Sequence, residues 1–226
     1  MAIASEIATT PPDGRSRAKH AYVTLREEII SAEIAPGTLL REDELMQRLG
    51  VGRTPVREAI QQLEHDGFVM VIPRRGTLVS EINITSLTGI YEVRVHLEAW
   101  EARLAAERVT DGERVEATKL LAEFDALDPN VSAETLLALD RRIHRFVYAC
   151  GKNTHLAETL DHYHNLSLRI LHVAMKRYPS LTPTLDHVVH DQRLLLNAVI
   201  RGDGPAAEQA AREHVLTFER AIREVI

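Results

Sequence analysis

The chain has 226 residues, of which 45% are hydrophobic, and its formal net charge is -6. This length suits one large domain or two small ones, and the hydrophobic fraction is normal for a soluble globular protein. The single cysteine, Cys150, excludes an internal disulfide framework, and no stretch reaches the length of a membrane span. The N-terminus lacks the apolar run of a signal peptide, so we expect a cytoplasmic protein with no membrane partner.

The chain opens with a segment of small and polar residues that contains two prolines. We expect residues 1–14 to form a disordered tail without a chemical role. Apolar residues at helical spacing then predict a scaffold helix over residues 17–31, and a Pro36-Gly37 turn follows it. Residues 42–49 predict a second, shorter helix that leads into a tight turn.

A third helix is predicted to follow this turn, and we call it the reading helix. Gly50 and Gly52 form the turn, Thr54 can cap a helix, and Pro55 suits the first helical position. We therefore place its start at about Pro55. An arginine lies on each side of this start, Arg53 before it and Arg57 after it.

Two arginines, Arg53 and Arg57, lie at the N-terminal end of the reading helix, while Val56, Ile60 and Leu63 recur at helical spacing toward a core. Arginines at a helix tip suit phosphates and guanine edges. A surface helix with solvated arginines explains the same spacing, so the pattern leaves both interpretations open. A local basic face is compatible with the negative net charge, because DNA binding needs charge only at the contact surface.

A hairpin is predicted after the reading helix, which Gly67 ends. Residues 69–72 and 77–79 have the composition of strands, and the Pro73-Arg74-Arg75-Gly76 turn joins them. Two helices separated by a turn and followed by a hairpin with a basic tip indicate a winged helix-turn-helix domain. We expect this domain to cover residues 15–80.

The remainder of the chain shows almost no strand-like alternation, so we expect an all-α helical bundle over residues 81–226. The fold class is therefore mainly α. Proline and glycine breaks separate the predicted helices. We place them at residues 87–108, 111–125, 133–149, 155–176, 184–201 and 205–225.

Several helices of the predicted bundle carry one polar residue inside an apolar stripe. Asp140 and His144 share a helix face at a spacing of four, and Gln192 and His214 occupy the middle of two further stripes. A buried carboxylate and imidazoles need partners, and a divalent ion such as zinc or nickel would satisfy them together. A hydrogen-bonded Asp140–His144 pair, with His214 packed separately, explains the same pattern.

The stretch GVGRTPVREAIQQLEHDGF closely resembles the DNA-binding signature of the GntR family of bacterial transcription regulators. The similarity covers roughly residues 17–79 and implies contacts of the reading helix with operator DNA and an approach of the hairpin tip to the minor groove. The DNA-binding residues expected from it are Arg53, Thr54, Arg57, Arg75 and Gly76. Gly52 replaces the serine usual in the family, and Asp43 replaces a DNA-contacting arginine of some relatives, so base preference does not transfer.

The region from about residue 87 resembles the FCD effector domain of the FadR subfamily. The resemblance is carried by Arg94-Val95-His96-Leu97-Glu98, by Asp140-Arg141-Arg142-Ile143-His144 and by the turn at residues 151–156. Metal-binding members use an aspartate and three histidines from such segments, which implies a metal role for Asp140, His144 and His214.

The fourth ligand position departs from this pattern, because Gln192 stands where the family normally has histidine. Gln192 could coordinate weakly through its amide oxygen or hold a water, or His190 could replace it if the helix register shifts. We therefore expect three strong ligands rather than a tight site with four.

Other polar residues are weaker candidates. In the FCD family an arginine at the position of Arg94 can bind the carboxylate of an organic acid, and an ion pair with an acid of a neighbouring helix is an equal alternative. Arg169 and His172 are possible pocket residues, with Arg169 the second candidate for effector binding. The remaining candidates are expected on solvated or packing faces: His162, His164 and Cys150.

These features together predict a ligand-responsive transcription regulator that is not an enzyme. We expect a homodimer that binds a palindromic operator in double-stranded DNA, acts as a repressor, and senses a small carboxylic acid in a metal-containing pocket. The first alternative is the same regulator with a metal-free pocket for a larger apolar effector. The second is a metal-dependent enzyme, but no further base or nucleophile accompanies Asp140, His144 and His214 at motif spacing.

Overall fold

A computed structural model of the chain describes residues 14–82, 84–128, 131–178 and 185–224. The chain divides into two compact units, Met1–Ile82 and Asn83–Ile226, and each is described by itself. The predicted tail lies outside the described residues except for Gly14, which is the first residue of a helix rather than the last residue of the tail.

The first unit contains helices and a small antiparallel sheet in the order of a winged helix-turn-helix. The elements are α1 (Gly14–Ile30), β1 (Leu39–Leu40), α2 (Glu42–Leu49), α3 (Arg53–His65), β2 (Val69–Ile72) and β3 (Gly76–Val79). The scaffold helix α1 packs against the reading helix α3, and the sheet has the strand order β1-β3-β2. Strand β1 was not predicted, because two residues are too short to show alternation.

The turn between α2 and α3 depends on Gly50. This residue has φ 63°, in the left-handed region that favours glycine, and its N–H donates to the carbonyl of Met46 at the end of α2. The reading helix α3 begins at Arg53, two residues before the predicted start, with Gly52 as an extended N-cap. The predicted capping role of Thr54 is wrong, because Thr54 lies inside the first turn.

The second unit is a bundle of helices, as predicted. Helix α4 lies at its centre, since it packs against α6, α7, α8 and α9. Its described part is buried on most sides, as expected of a central helix. The helices are α4 (Ile84–Arg108), α5 (Asp111–Asp125), α6 (Ala133–Cys150), α7 (Thr154–Arg177), α8 (Leu185–Arg201) and α9 (Gly204–Arg223).

Local signals fix where several of these helices begin. Thr110 and Glu113 form a reciprocal capping box at α5, and the side chains of Ser132, Asn153 and Asp203 accept the N-terminal N–H groups of α6, α7 and α9. Helix α4 begins at Ile84, three residues before its predicted start. Of the connection predicted between residues 176 and 184, residues 179–183 lie outside the described residues.

Candidate functional site

The first candidate site is the N-terminal end of α3, where Arg53, Thr54 and Arg57 are all exposed. We call these three residues the reading surface. Arg53 and Arg57 are four residues apart on one side of the helix, and each arginine side chain is 57% exposed. Two guanidinium groups are thus available at a helix tip, an arrangement that suits nucleic acid.

Acidic residues in the first turn of α2 contact the reading surface. Both carboxylate oxygens of Glu42 accept hydrogen bonds from Arg57 Nε, at 3.1 and 3.0 Å. Asp43 Oδ1 accepts from Arg53 Nη2 at 3.2 Å, and Glu42 also lies 3.9 Å from Arg53 Nε. Periodicity within one helix could not reveal these pairs, because they join two helices.

The hairpin between β2 and β3 carries the remaining predicted DNA-binding residues. Arg75 and Gly76 are exposed at its tip, and Arg74 beside them has φ 67°. The N–H of Arg75 donates to the carbonyl of Ile72 at 3.0 Å, which closes the turn. The wing therefore presents two adjacent arginines to solvent.

The second candidate site lies inside the bundle, where the structure brings together all four predicted metal residues. Asp140 and His144 project from α6, Gln192 from α8 and His214 from α9. None of the four is more than 2% exposed. We call Asp140, His144, Gln192 and His214 the candidate metal centre.

The polar atoms of this centre face one another at short range. His144 Nε2 and His214 Nε2 are 3.1 Å apart. The Asp140 carboxylate lies 3.7 Å from His144 Nε2 and 3.6 Å from His214 Nε2. Gln192 Nε2 is 2.7 Å from Asp140 Oδ1 and 3.1 Å from each Nε2 atom.

These separations fit the ligand shell of a single ion. Nitrogen ligands at about 2.0–2.1 Å from a tetrahedral zinc ion lie about 3.3 Å from one another. The separations among the ligand atoms of Asp140, His144 and His214, which range from 3.1 to 3.7 Å, surround this value. Asp140, His144 and His214 therefore form a donor set of suitable chemistry and size for a first-row divalent cation.

Gln192 completes the centre as an amide rather than as an imidazole. Its Nε2 donates to Asp140, while its Oε1 is buried without a hydrogen-bond partner among the described residues. Flipping the Gln192 side-chain amide exchanges Nε2 and Oε1. The flip would direct Oε1, a weak metal ligand, toward the imidazoles. The same side chain can thus stabilise the centre by hydrogen bonds or contribute an oxygen ligand.

Glu98, a residue of α4 that was not among the predicted site residues, contacts the centre, and Tyr148 Oη also lies 3.3 Å from His144 Nδ1. Glu98 Oε2 lies 3.3 Å from His144 Nδ1, on the side of the ring opposite the metal-facing Nε2. A histidine that donates its other N–H to a carboxylate has its tautomer fixed and its basicity raised, as in many metal sites. Only the family resemblance of the segment containing Glu98 hinted at this role.

Arg94 is buried and anchors this carboxylate. Arg94 Nε donates to Glu98 Oε1 at 2.6 Å, so Arg94 does form an ion pair, but with an acid of its own helix rather than of a neighbouring one. Its other nitrogens reach Ser167 Oγ at 2.5 Å and His164 Nδ1 at 3.3 Å. The expectation for His164 is too simple, because this histidine packs within the polar network beside His144, at a ring distance of 4.2 Å.

Burial controls the protonation of this network. It lowers the pKa of His144, His164 and His214 well below the usual value, so the rings are neutral and can offer lone pairs. It raises the pKa of Asp140 to about 7, and the hydrogen bond from Gln192 opposes that rise. Neutral imidazoles are the form that binds a metal.

A small cavity of about 10 Å³ adjoins the centre. Arg94, Asp140, His164 and Ser167 form its polar side, and its other side is apolar. This volume holds about one water, so an effector would have to enlarge it. The described residues that line it include Arg94 but not Arg169, although Arg169 is also buried.

The other histidines and the cysteine do not join the centre. His190 is exposed, so the structure does not support its substitution for Gln192. His172 is half-buried and bonds to the Leu168 carbonyl at 2.8 Å, while His162 stacks edge-on against Tyr163. Cys150 is buried at the end of α6, as expected of a packing residue.

Comparison with known families assigns both units. Residues 17–79 match the family described as "Bacterial regulatory proteins, gntR family", and residues 89–217 match the FCD domain. The two matches together span both candidate sites.

Curated relatives are similar along most of the chain. The HTH-type transcriptional repressor RspR of Escherichia coli K12 is 25% identical over 204 residues, covering 90% of this chain and 88% of the relative. The Nta operon transcriptional regulator of Aminobacter aminovorans is 33% identical over 131 residues, covering 58% of this chain and 62% of the relative. These relatives are named as regulators.

Solved structures share the fold. Escherichia coli McbR/YncC superposes with a TM-score of 0.81 at 22% identity, covering 92% of this chain and 98% of that one. A GntR transcriptional regulator from Rhodococcus sp. RHA1 superposes with a TM-score of 0.71 at 22% identity, covering 93% of this chain and 99% of that one.

Within the described residues, no helix is both long and apolar enough to cross a bilayer.

Proposed function

Since this chain belongs to the gntR family of bacterial regulatory proteins and carries an FCD domain, it is a transcription regulator, and we propose that it responds to a small-molecule effector. We place it in the FadR subfamily. We propose further that it works in the cytoplasm as a homodimeric repressor on a palindromic operator, and that it is not an enzyme.

The exposed arginines of α3 and the wing support the DNA-binding part of this proposal. Arg53 and Arg57 lie at the tip of the reading helix, where side chains reach base edges in the major groove. Arg75 and Gly76 at the wing tip would approach the minor groove. A dimer would place the two reading helices in half-sites about one helical turn apart.

The candidate metal centre supports the sensing part of the proposal. Asp140, His144 and His214 would hold a zinc-like or nickel-like ion, with Gln192 turned to present Oε1 or displaced by a water. A bound ion would supply a positive centre to which an effector carboxylate can bind. The single observation that carries this proposal is the convergence of three ligand atoms within 4.8 Å in a fully buried site.

Arg94 is the proposed second contact of a carboxylate effector. It lines the cavity beside Asp140, and its charge is already balanced by Glu98. An incoming carboxylate would compete with Glu98 for Arg94, and Glu98 also contacts His144. Effector binding would therefore change contacts of α4, the helix that packs against the other helices at the site.

Gln192 favours a second candidate, the same regulator without a metal. Its N–H donates to Asp140 and lies near both imidazoles, so hydrogen bonds can satisfy the centre without an ion. The pocket would then bind a larger effector through its apolar side, which consists of Leu168, Leu171 and Phe218.

Selection from random-sequence DNA tests the proposed function. The purified protein would select duplexes from a library with a randomised window of about 20 base pairs, two helical turns. We expect enrichment of an inverted repeat, with binding weakened by a small carboxylic acid from a screened set. Absence of any enriched sequence would contradict operator binding, and enrichment of a single half-site without symmetry would contradict the dimer.

A further inference from the structure

Among the described residues, Glu42 is the one acidic side chain that contacts both arginines of the reading surface. We propose that Glu42 is a positioning residue, which fixes the Arg57 guanidinium so that its two terminal nitrogens can read one guanine. This inference rests on the proposed DNA-binding role of α3 and extends it to a residue outside that helix.

Glu42 holds the Arg57 guanidinium through its Nε atom rather than through its terminal nitrogens. Both carboxylate oxygens of Glu42 accept from Arg57 Nε, at 3.1 and 3.0 Å. The terminal Nη1 and Nη2 groups of Arg57 have no hydrogen bond to the part of the chain that the structure describes. A guanidinium held through Nε presents its terminal fork outward, and this fork matches the O6 and N7 acceptors of guanine.

Arg53 is held differently. Its terminal Nη2 donates to Asp43 Oδ1, and its Nε lies 3.9 Å from Glu42, beyond hydrogen-bond range. To use its full fork on DNA, Arg53 must release Asp43, whereas Arg57 can keep its bond to Glu42. The two arginines therefore differ in how far they are prepared for base recognition.

Ordering of Arg57 before DNA binds matters, because a mobile arginine side chain must be fixed in one conformation before it can discriminate between bases. Glu42 is only 36% exposed and lies in the first turn of α2, a rigid helix that packs against α3. Asp43, next to it, is 86% exposed and does not contact Arg57. The two acids thus carry the same charge at adjacent positions, but only one of them positions Arg57.

This difference supplies a matched control. Glu42→Ala and Asp43→Ala each remove one negative charge and one acid from the first turn of α2, so both should raise affinity for nonspecific DNA similarly. Only Glu42→Ala also frees Arg57. In Glu42→Gln the charge is lost, but the amide oxygen can still accept from Arg57 Nε.

The experiment uses duplexes selected from the random library by the full-length protein. The base pair whose preference is lost in Arg57→Ala is identified first, and the affinity for its four versions is then measured by fluorescence anisotropy at one fixed salt concentration. For Glu42→Ala we expect discrimination at this base pair to fall about tenfold, within the value of one bidentate contact. Asp43→Ala and Glu42→Gln should stay within about twofold of the wild type there.

Three results would overturn the inference. Glu42→Ala with unchanged discrimination would show that Arg57 needs no positioning. Glu42→Gln that behaves like Glu42→Ala, or Asp43→Ala that does so, would show that charge alone matters. If selection yields an enriched sequence but Arg57→Ala changes no base preference, Arg57 is not a base reader. Failure to enrich any sequence would instead overturn the DNA-binding role on which the inference rests.

Discussion

Gln192 decides which chemistry the buried centre can perform. In the structure, the Gln192 N–H donates to Asp140 at 2.7 Å and so provides part of the stabilisation of the carboxylate that a cation would provide. Turned over, it offers an amide oxygen, which is a weaker ligand for zinc than an imidazole nitrogen. The centre is therefore expected to bind a divalent ion less tightly than a site with three histidines.

Gln192→His should strengthen metal binding. An imidazole at this position would add a third nitrogen ligand, and we expect affinity for zinc to rise by about tenfold or more. Competition with a chromophoric chelator measures the change. His190→Gln is the control on the same helix, because His190 is exposed and should have no effect. Equal affinities of Gln192→His and the wild type would contradict a metal role for this position.

Arg57 gives the second prediction at the scale of single residues. Arg57→Ala should weaken binding to the selected duplex by about 1–3 kcal/mol, the value of a base contact. Arg48→Ala removes the same charge from the neighbouring helix α2, but Arg48 pairs with Glu28. A titration at constant salt should show a clearly smaller loss for Arg48→Ala, and equal losses would point to general electrostatics.

The sequence revealed those site residues that interrupt an apolar stripe within one helix. Asp140, His144, Gln192 and His214 all interrupt such stripes. Glu98 and His164 could not be found, because their importance arises from contacts between helices. Periodicity reports which side of a helix is buried, but not which buried side chains from different helices meet.

Among whole elements, the helices were predictable and their ends less so. The predicted helix at residues 111–125 is observed without change, whereas α3 and α4 begin two and three residues early. Caps explain part of the difference: Thr110 caps α5 with its side chain, whereas the N-cap of α3 is Gly52, which has no side chain that could mark the start of the helix. The short strand β1 exists only through its pairing with β3, which no local pattern encodes.

Helix α4 meets the end of α6 at a buried carboxylate. Glu101 is fully buried, and neither of its oxygens has a hydrogen-bond partner among the described residues. It packs so closely on Gly151 that a Cβ there would collide with the carboxylate. Burial raises the pKa of Glu101 to about 7, and the charge of Arg108 opposes the rise.

This contact makes stability depend on pH. Because the folded pKa is raised, the folded state binds the proton more tightly than the unfolded state, so the stabilisation is complete below about pH 4.5 and is lost as pH rises to about 7. Glu101→Gln should therefore stabilise the protein by about 1 kcal/mol or more at pH 8, where the buried carboxylate is charged in the folded state.

Urea unfolding of Glu101→Gln and wild type at pH 5 and pH 8 measures this difference. The gain should be much smaller at pH 5, where Glu101 is largely protonated in the folded state. Glu107→Gln serves as the control, because Glu107 is exposed on the same helix. A gain that is equal at the two pH values would contradict the proposed protonation of Glu101.

For the whole molecule, the proposed regulation requires coupling between effector binding and DNA binding. Linkage makes this coupling reciprocal, so an effector that weakens DNA binding must itself bind less tightly in the presence of the duplex. Helix α4 is suited to report the state of the centre, because it carries Arg94 and Glu98 and packs against α6, α7, α8 and α9. We propose that the molecule is a dimer in which each bundle holds a metal-dependent sensor.

Native mass spectrometry of protein purified without chelator tests for the bound ion and for the dimer in one experiment. We expect a dimer with one divalent ion per subunit, and loss of the ion in His144→Ala and His214→Ala while His190→Ala keeps it. Circular dichroism of each variant confirms that it is folded. A dimer that stays metal-free even after addition of zinc or nickel would contradict the metal centre, and a metal-free monomer would contradict both parts of the proposal.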